Sequence, residues 1–391
     1  MPETVDCLVV GGGLLGSALA YYLVCSGSTA CLVEKDQLNQ HASGRNAGSL
    51  HFQLEYRMIE HGLDAAKKAA EALPLHLDAA REWSVLSTRI GESIGVLQSG
   101  GMMLAETSEQ ALLLERKTEL ERSYGLENRM LSSDEIHQRA PYLSSAIVAA
   151  ALCPLEGRAN PRGATLAFAT VAEEFGARIR AGIAVTGMKQ QRGRWRTSLS
   201  DGSEILARKV AIAAGSWSAR IAAMAGIALP VVPIGLMMAA TVRVAPFIKH
   251  LIQHAGRRLS LNQSAEGTIL IGGGWPARLH ETGGVYDLDL PPEILPSSIQ
   301  GNLHAAVSVV PRVGEIPVLR IWSGATLLVA DQLPLVGALP RRSDLFIATG
   351  GSAFTLGPTY ARVLASKILE KPVDLDVSRF DPGRFVSLNN A

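Results

Sequence analysis

The stretch Cys7 to Lys35, CLVVGGGLLGSALAYYLVCSGSTACLVEK, constrains the fold more than any other part of the chain. An apolar run from Cys7 to Val10 meets three glycines, and a helical pattern then runs from Leu14 to Cys25. After Gly27 a second apolar run, Cys31 to Val33, ends in Glu34. The order reads as strand, tight turn, helix, strand. Gly11 permits the sharp turn, Gly13 lets backbone approach a pyrophosphate, and Gly16 lets the helix pack on the strand. A pyrophosphate so placed sits on the unpaired N–H groups and positive dipole of a helix N-terminus. Glu34 falls about 20 residues on, where an acid accepts both ribose hydroxyls of an adenosine. An acid there argues against a 2'-phosphate, and so against NADP. Glycine-rich turns are common by themselves; with both strands, the helix and the acid present, the stretch predicts a dinucleotide site rather than a purely structural βαβ unit.

A chain of 391 residues suffices for two domains, or for one large discontinuous domain with a sizeable core. With 37 basic and 36 acidic residues and a net charge of +1, there is no electrostatic footprint for nucleic acid or an anionic membrane. A small molecule or another protein is the expected partner. Met1 to Asp6 carries no basic leader and no apolar stretch reaches about 18 residues unbroken, so a soluble, cytoplasmic protein without an integral membrane segment is expected. Cys7, Cys25, Cys31 and Cys153 form no CxxC pair and read as buried, inert thiols, a metal or redox role being the alternative. No metal-ligand spacing stands out.

Asp36 to Gln53, DQLNQHASGRNAGSLHFQ, is polar and has no clear period. Ser43, Gly44, Arg45, Asn46 and Gly48 offer hydroxyl, N–H and guanidinium donors suited to a pyrophosphate and to close approach of a flat ring; a solvated loop is the alternative. Tyr56 to Ile90 is helical in pattern, Gly95 to Ala105 reads as a hairpin, and Ala111 to Tyr124 and Ser133 to Arg139 read as surface helices, the second capped by Ser133. Asn160 followed by Pro161 predicts a helix start, cap then first turn. Val185 opens one of several short strands, and Lys209 to Ala214 is a buried strand followed by Gly215 and Trp217. Pro230 to Leu319 is dominated by alternating strands, which predicts an antiparallel domain inserted into the first. Leu345 to Ala348 is a last buried strand, ending in the glycine-rich corner Gly350 to Gly357 before a helix from Pro358. The positive end of that helix, aimed at a flavin's pyrimidine side, would stabilise charge that appears there on reduction.

Together these pieces resemble the glycine-oxidase/D-amino-acid-oxidase superfamily of FAD-dependent amine oxidoreductases. The resemblance covers nearly the whole chain, through VVGGGLLGSALAYYL with Glu34, ASGRNAGSL, GRANP, AIAAGSWS, RIWSGATLLVADQLPLVG and ATGGSAFTLGP. It implies an α/β fold: a discontinuous Rossmann-like FAD-binding domain (1–80, 145–225 and 320–391) with an inserted antiparallel-sheet substrate domain (81–144 and 226–319). It also implies non-covalent FAD contacts at Gly11, Gly13, Leu15, Gly16, Glu34, Lys35, Ser43, Arg45, Asn46, Ala47, Gly48, Leu50, Val185, Ala214, Gly215, Trp217, Gly351, Phe354, Thr355 and Leu356. A narrower likeness, in NAGSLHFQ and SLNQSAEGTILIGGGWP, is to the FAD-bearing B subunits of opine (octopine or nopaline) oxidase and the β subunits of D-hydroxyproline dehydrogenase. That likeness implies a second (alpha) subunit with further electron carriers, and an FMN that such complexes can hold at the subunit contact.

One departure bears on the substrate. Many members carry an arginine two residues after the glycine of W-x-G to hold a carboxylate, whereas here Gly324 is followed by Ala325 and Thr326. Arg57, His51 and Arg312 are the substitutes the sequence offers. The chemistry implied is hydride transfer from the α-carbon of a neutral amine to flavin N5, giving an imine that water hydrolyses. His51, next to Gly48 and the flavin loop, could accept the amine proton or be a packed histidine. Gln263 and Trp275, in the inserted sheet, could line the substrate pocket, with a core tryptophan as the alternative. His61, His76 and His137 are expected to face solvent. A stand-alone oxidase using oxygen, and a subunit holding FAD for structure or electron relay, stay open at this level.

Overall fold

The computed structural model describes residues 2–385; residues 386–391, the end of the third segment assigned above to the FAD domain, lie outside the described residues. Strand Glu3–Val10, helix Leu14–Cys25 and strand Ala30–Val33 form where the apolar periods place them. The first strand lies inside a sheet ordered Leu335–Leu339, Arg342–Thr349, Glu204–Ile212, Glu3–Val10, Ala30–Val33, Arg178–Arg180. Every neighbour in that row pairs in parallel except the first. Helices cover both faces of such a sheet, so its strands read as continuous apolar runs. One face packs under Leu14–Cys25, Pro161–Glu174 and Gly357–Ile368. Leu14, Leu19 and Leu23 are all but fully buried, and each such burial contributes roughly 1.5–3 kcal/mol. The other face is covered by the hairpin Val185–Gln191/Arg194–Leu199 and helix Ser218–Met224.

A second sheet runs Glu293–Ile294, Pro276–Arg278, Val231–Arg243, Thr268–Gly272, Ser260–Gln263, Leu251–His254, Gly101–Ala105, Ala149–Cys153, Arg129–Ser132, with Val318–Val329 also paired to Val231–Arg243. Side chains alternate across a strand. Met237, Ala239, Leu261, Ile269 and Ile271 therefore pack outward against helix Pro296–Val309, while Ser260 and Asn262 point inward to the loop after Ser43.

Several sequence expectations need correction. Gly95–Ala105 is not a hairpin: only Gly101–Ala105 is a strand, paired with the distant Ala149–Cys153 and Leu251–His254. The cap of Ser133–Arg139 is Ser132, which forms a capping box with Glu135. The boundary at 80/81 cuts helix Leu73–Ile90, which packs on Gly357–Ile368, and strand Ala149–Cys153, placed in the first domain, pairs within the second sheet. Cys25 is exposed, whereas the other three thiols are buried. Helix Ser108–Ser123 is not purely a surface helix, because Lys117 and Glu121 are at most 1 % exposed. His76 is buried too, and burial pushes it down to about 4, against the pull of Glu55.

Candidate active site

The turn after the first strand is built for close approach. Gly11 has φ +117°, and a Cβ there would stand 2.4 Å from the Ala213 carbonyl oxygen. A Cβ on Gly13 would meet Ser43 Oγ at 2.8 Å, and one on Gly16 would collide with the Gly11 carbonyl at 1.9 Å. Gly16 thus serves helix packing, while Gly11 and Gly13 border open space. That space is a cavity of about 320 Å³, also lined by Leu15, Glu34, Lys35, Ser43, Val185, Ala214, Gly215 and Trp217. Glu34, at the end of its strand, accepts the Gly12 and Asp36 N–H groups at 2.6 and 2.9 Å. Ser43 Oγ accepts the Leu14 N–H at 3.0 Å, tying the loop to the helix N-terminus. Ser216, inside the AIAAGSWS motif but not among the FAD contacts expected from it, lines the same cavity with a buried hydroxyl that has no protein partner. A glycine cradle, a helix N-terminus, an acid and an orphaned hydroxyl fit the pyrophosphate and ribose of FAD.

The segment after a small separate hairpin, His280–Thr282/Val285–Asp287, reaches the cavity. Asp289 lines it and accepts from Lys35 Nζ at 2.9 Å and Trp217 Nε1 at 3.2 Å, while Arg220 donates to the Tyr286 carbonyl at 2.5 Å. Lys35 Nζ also stands 4.6 Å over the Trp217 ring, and its hydrogen bond holds the Asp289 carboxyl below its ordinary range. Asp289→Ala is expected to raise the FAD dissociation rate about tenfold, a loss of roughly 1.4 kcal/mol. Recovery of flavin fluorescence after dilution measures it, and an unchanged rate would remove Asp289 from cofactor retention. Glu34, Asp36 and His41 bring donor atoms within 4.8 Å of one another, but Asp36 and His41 bond each other at 2.7 Å and Glu34 is engaged as above.

The remaining FAD contacts expected from the sequence do not line this cavity. Arg45 Nε donates to the Gln40 carbonyl, and the Arg45 carbonyl accepts from Trp322 Nε1 at 2.8 Å. Asn46 Oδ1 accepts the Gly48 N–H at 2.7 Å. Gly48 has φ +69° and sits against the Ala159 carbonyl. Ala47 bonds Asn262 through its carbonyl, and Leu50 is buried opposite Gly157. At the C-terminal corner, Gly351 faces Arg57, Phe354 packs on Trp83, and Trp83 Nε1 donates to the Thr355 carbonyl at 2.7 Å. Leu356 is the N-cap of helix Gly357–Ile368.

His51 joins loop, sheet and corner. Its Nε2 lies 3.0 Å from Ser260 Oγ, its backbone N–H donates to Thr355 Oγ1 at 3.3 Å, and its buried Nδ1 has no partner in the protein. Arg57 is committed elsewhere, bonding Glu55 at 3.2 Å and Ser352 Oγ at 2.9 Å. Burial works to raise the Glu55 carboxyl, but Arg57, His51 and Ser352 outweigh it and hold it down at about 2. Gln263 is corrected from pocket to scaffold: its amide accepts the Phe247 and Ile248 N–H groups and donates to the Gly267 carbonyl. Trp275 packs outward on Gly301, with its N–H on the Arg258 carbonyl, and Arg312 stacks on Phe247 of the same outer cluster. The polar side chains that do face the flavin loop are Ser260 and Asn262, one position away from Gln263 in the strand's alternation; that parity was the available signal.

A parallel sheet with a glycine turn, and a second sheet that contributes Ala325, Thr326 and Leu327 to the same cavity, define a dinucleotide-binding α/β fold. The chain belongs to the family described as FAD dependent oxidoreductase (DAO), whose profile matches residues 6–367. It is similar to glycine oxidase of Geobacillus kaustophilus (strain HTA426), 26% identical over 399 residues, covering 99% of this chain and 98% of that protein. It is equally similar to the B subunit of opine oxidase from Rhizobium meliloti, 26% identical over 391 residues, covering 97% of this chain and 98% of that protein. The crystal structure of L-proline dehydrogenase from P. horikoshii shares the fold, with a TM-score of 0.85 at 23% identity over 99% of both chains. This protein is an FAD-dependent amine or amino-acid oxidoreductase. Among the described residues no helix is long and apolar enough to cross a membrane.

Proposed function

We propose that this chain is the FAD-bearing, substrate-oxidising subunit of a cytoplasmic, multi-subunit dehydrogenase of secondary-amine amino acids, of the opine or cis-4-hydroxy-D-proline kind. The observation that carries the reading is the end-to-end similarity to a protein named as one subunit of an opine oxidase. Bound FAD supplies the two-electron acceptor for hydride from the amine's α-carbon. The glycine turn, Glu34 and Ser216 hold the cofactor's dinucleotide end. The corner Gly350 to Gly357 and the positive end of helix Gly357–Ile368 receive its pyrimidine side and favour the charge of the reduced state. His51, with one ring nitrogen fixed by Ser260 and the other free, takes the amine proton so that the nitrogen lone pair can assist C–H cleavage. The sheet overhead excludes water. FAD bound here would be the only flavin this chain holds; the electrons it accepts would go to carriers on a partner subunit, and an FMN would belong to the contact between the two.

A second reading, a self-sufficient oxidase of glycine-like or D-amino acids, draws on the equal similarity to glycine oxidase. Anaerobic addition of octopine, nopaline or cis-4-hydroxy-D-proline is expected to bleach the flavin band of the purified chain. Bleaching only by primary amino acids, with peroxide formed in air, would replace the first reading by the second.

A further inference from the structure

We infer that Glu156 is a positioning residue for His51, holding the backbone of the two residues that follow it and so fixing where the imidazole sits; this rests on the proposed role of His51. Strand pairing ends at Leu50, which lies opposite Gly157. The next N–H groups turn to side chains instead: those of Phe52 and Gln53 donate to Glu156 Oε1 at 2.8 and 3.0 Å, and that of Leu54 donates to Glu121 Oε1 at 2.7 Å. Gln53 Nε2 donates to Glu156 Oε2 at 2.7 Å, and Lys117 Nζ bridges Gln53 Oε1 and Glu121 Oε2 at 2.8 and 2.9 Å.

Buried backbone donors must be satisfied, and two carboxylates do it here for three consecutive residues. The fold makes room for this: a Cβ on Gly101 would stand 2.0 Å from Glu156 Oε2. The titratable groups facing Glu156 are Lys117 and Glu121 from helix Ser108–Ser123, Cys153 from the strand before it, and His51 from the loop. Glu55 and His76 act on the same segment. Burial pushes the Glu156 carboxyl up, against the pull of His51, Gln53 and Lys117.

Glu156→Gln changes one oxygen to a donor. Either it meets the backbone N–H groups, or Gln53 must flip and present its NH2 to Lys117; one link breaks in each case. The swap Glu156→Gln with Gln53→Glu gives every donor an acceptor again, with the charge moved toward Lys117. The single variant is expected to keep FAD but to reduce its flavin at least tenfold more slowly. The swap should restore the rate to within about threefold.

Spectra of [15N]histidine-labelled, FAD-loaded protein without substrate supply the independent readout: His51 ring signals should shift in the single variant. Lowered thermal stability with unshifted His51 signals, or a swap that fails to restore the rate, would make Glu156 merely structural and overturn the inference. If no amine bleaches the wild-type flavin, the substrate reading fails, and the His51 signals alone still decide the role of Glu156.

Discussion

Lys117→Met is expected to lower the unfolding free energy by about 3–5 kcal/mol, the usual cost of removing one partner from a buried ion pair. Lys117 Nζ stands 2.7 Å from Glu121 Oε1 with neither side chain more than 1 % exposed. Methionine matches the lysine stem in length but leaves the buried Glu121 carboxylate without its counter-charge, held only by the neutral Leu54 N–H and Asn128 Nδ2, and strips Gln53 Oε1 of its donor. Surface pairs such as Lys67 with Asp64 contribute at most about 1 kcal/mol, so position decides the magnitude. The double variant Lys117→Met/Glu121→Gln removes both charges while keeping an acceptor for the Leu54 N–H, and should recover at least about half of the loss. Urea denaturation of the three FAD-loaded proteins measures this, and a loss below about 1 kcal/mol for the single variant would show that water reaches the pair.

Gly11→Ala is expected to abolish FAD binding at micromolar concentrations, a weakening of at least about a hundredfold or roughly 2.7 kcal/mol. Two costs combine. A φ of +117° is accessible to glycine and strained for any other residue, at about 1–3 kcal/mol. The added methyl would also press on the Ala213 carbonyl, which the turn cannot relieve without moving Ala213 and Ala214 into the cavity. Gly27→Ala is the control. Its φ is +85° but nothing lies within 4 Å of the added carbon, so only the backbone cost of about 1 kcal/mol applies and flavin content should stay stoichiometric. The ratio of flavin to protein absorbance after purification reads both, and a fully loaded Gly11→Ala protein would contradict the assignment of this turn.

How far the sequence could be read follows from the range of the interactions involved. The dinucleotide unit and the Asn160 cap are local: period, turn glycine and cap residue are neighbours in the chain, so their meaning does not wait on the rest of the fold. Gln263 and Trp275 show where motif reading stops. They stand in a recognisable segment, but which face of a strand looks inward is fixed by its register against Thr268–Gly272 and Leu251–His254, and a shift of one residue inverts it. Lys117, Glu121 and Glu156 show a deeper limit. Charged residues in a helical pattern normally face water, and nothing near them in sequence announces a stretch of chain at Phe52 to Leu54 in need of acceptors. The burial of His76 is hidden for the same reason.

The cofactor cavity draws its walls from Val10 at one extreme and Ala353 at the other, with Asp289 between. During synthesis the glycine turn precedes the second parallel partner of the first strand, Glu204–Ile212, by about half of the chain, and the corner after Arg342–Thr349 by most of it. The complete cofactor cavity therefore exists only once the chain through Ala353 has been made. Until Glu204–Ile212 is made, strand Glu3–Val10 waits with one unpaired edge on the growing polypeptide, the kind of surface on which nascent chains aggregate. Cellular yield of this protein should accordingly depend on holdase chaperones and on flavin supply during expression more than on the stability of the finished fold.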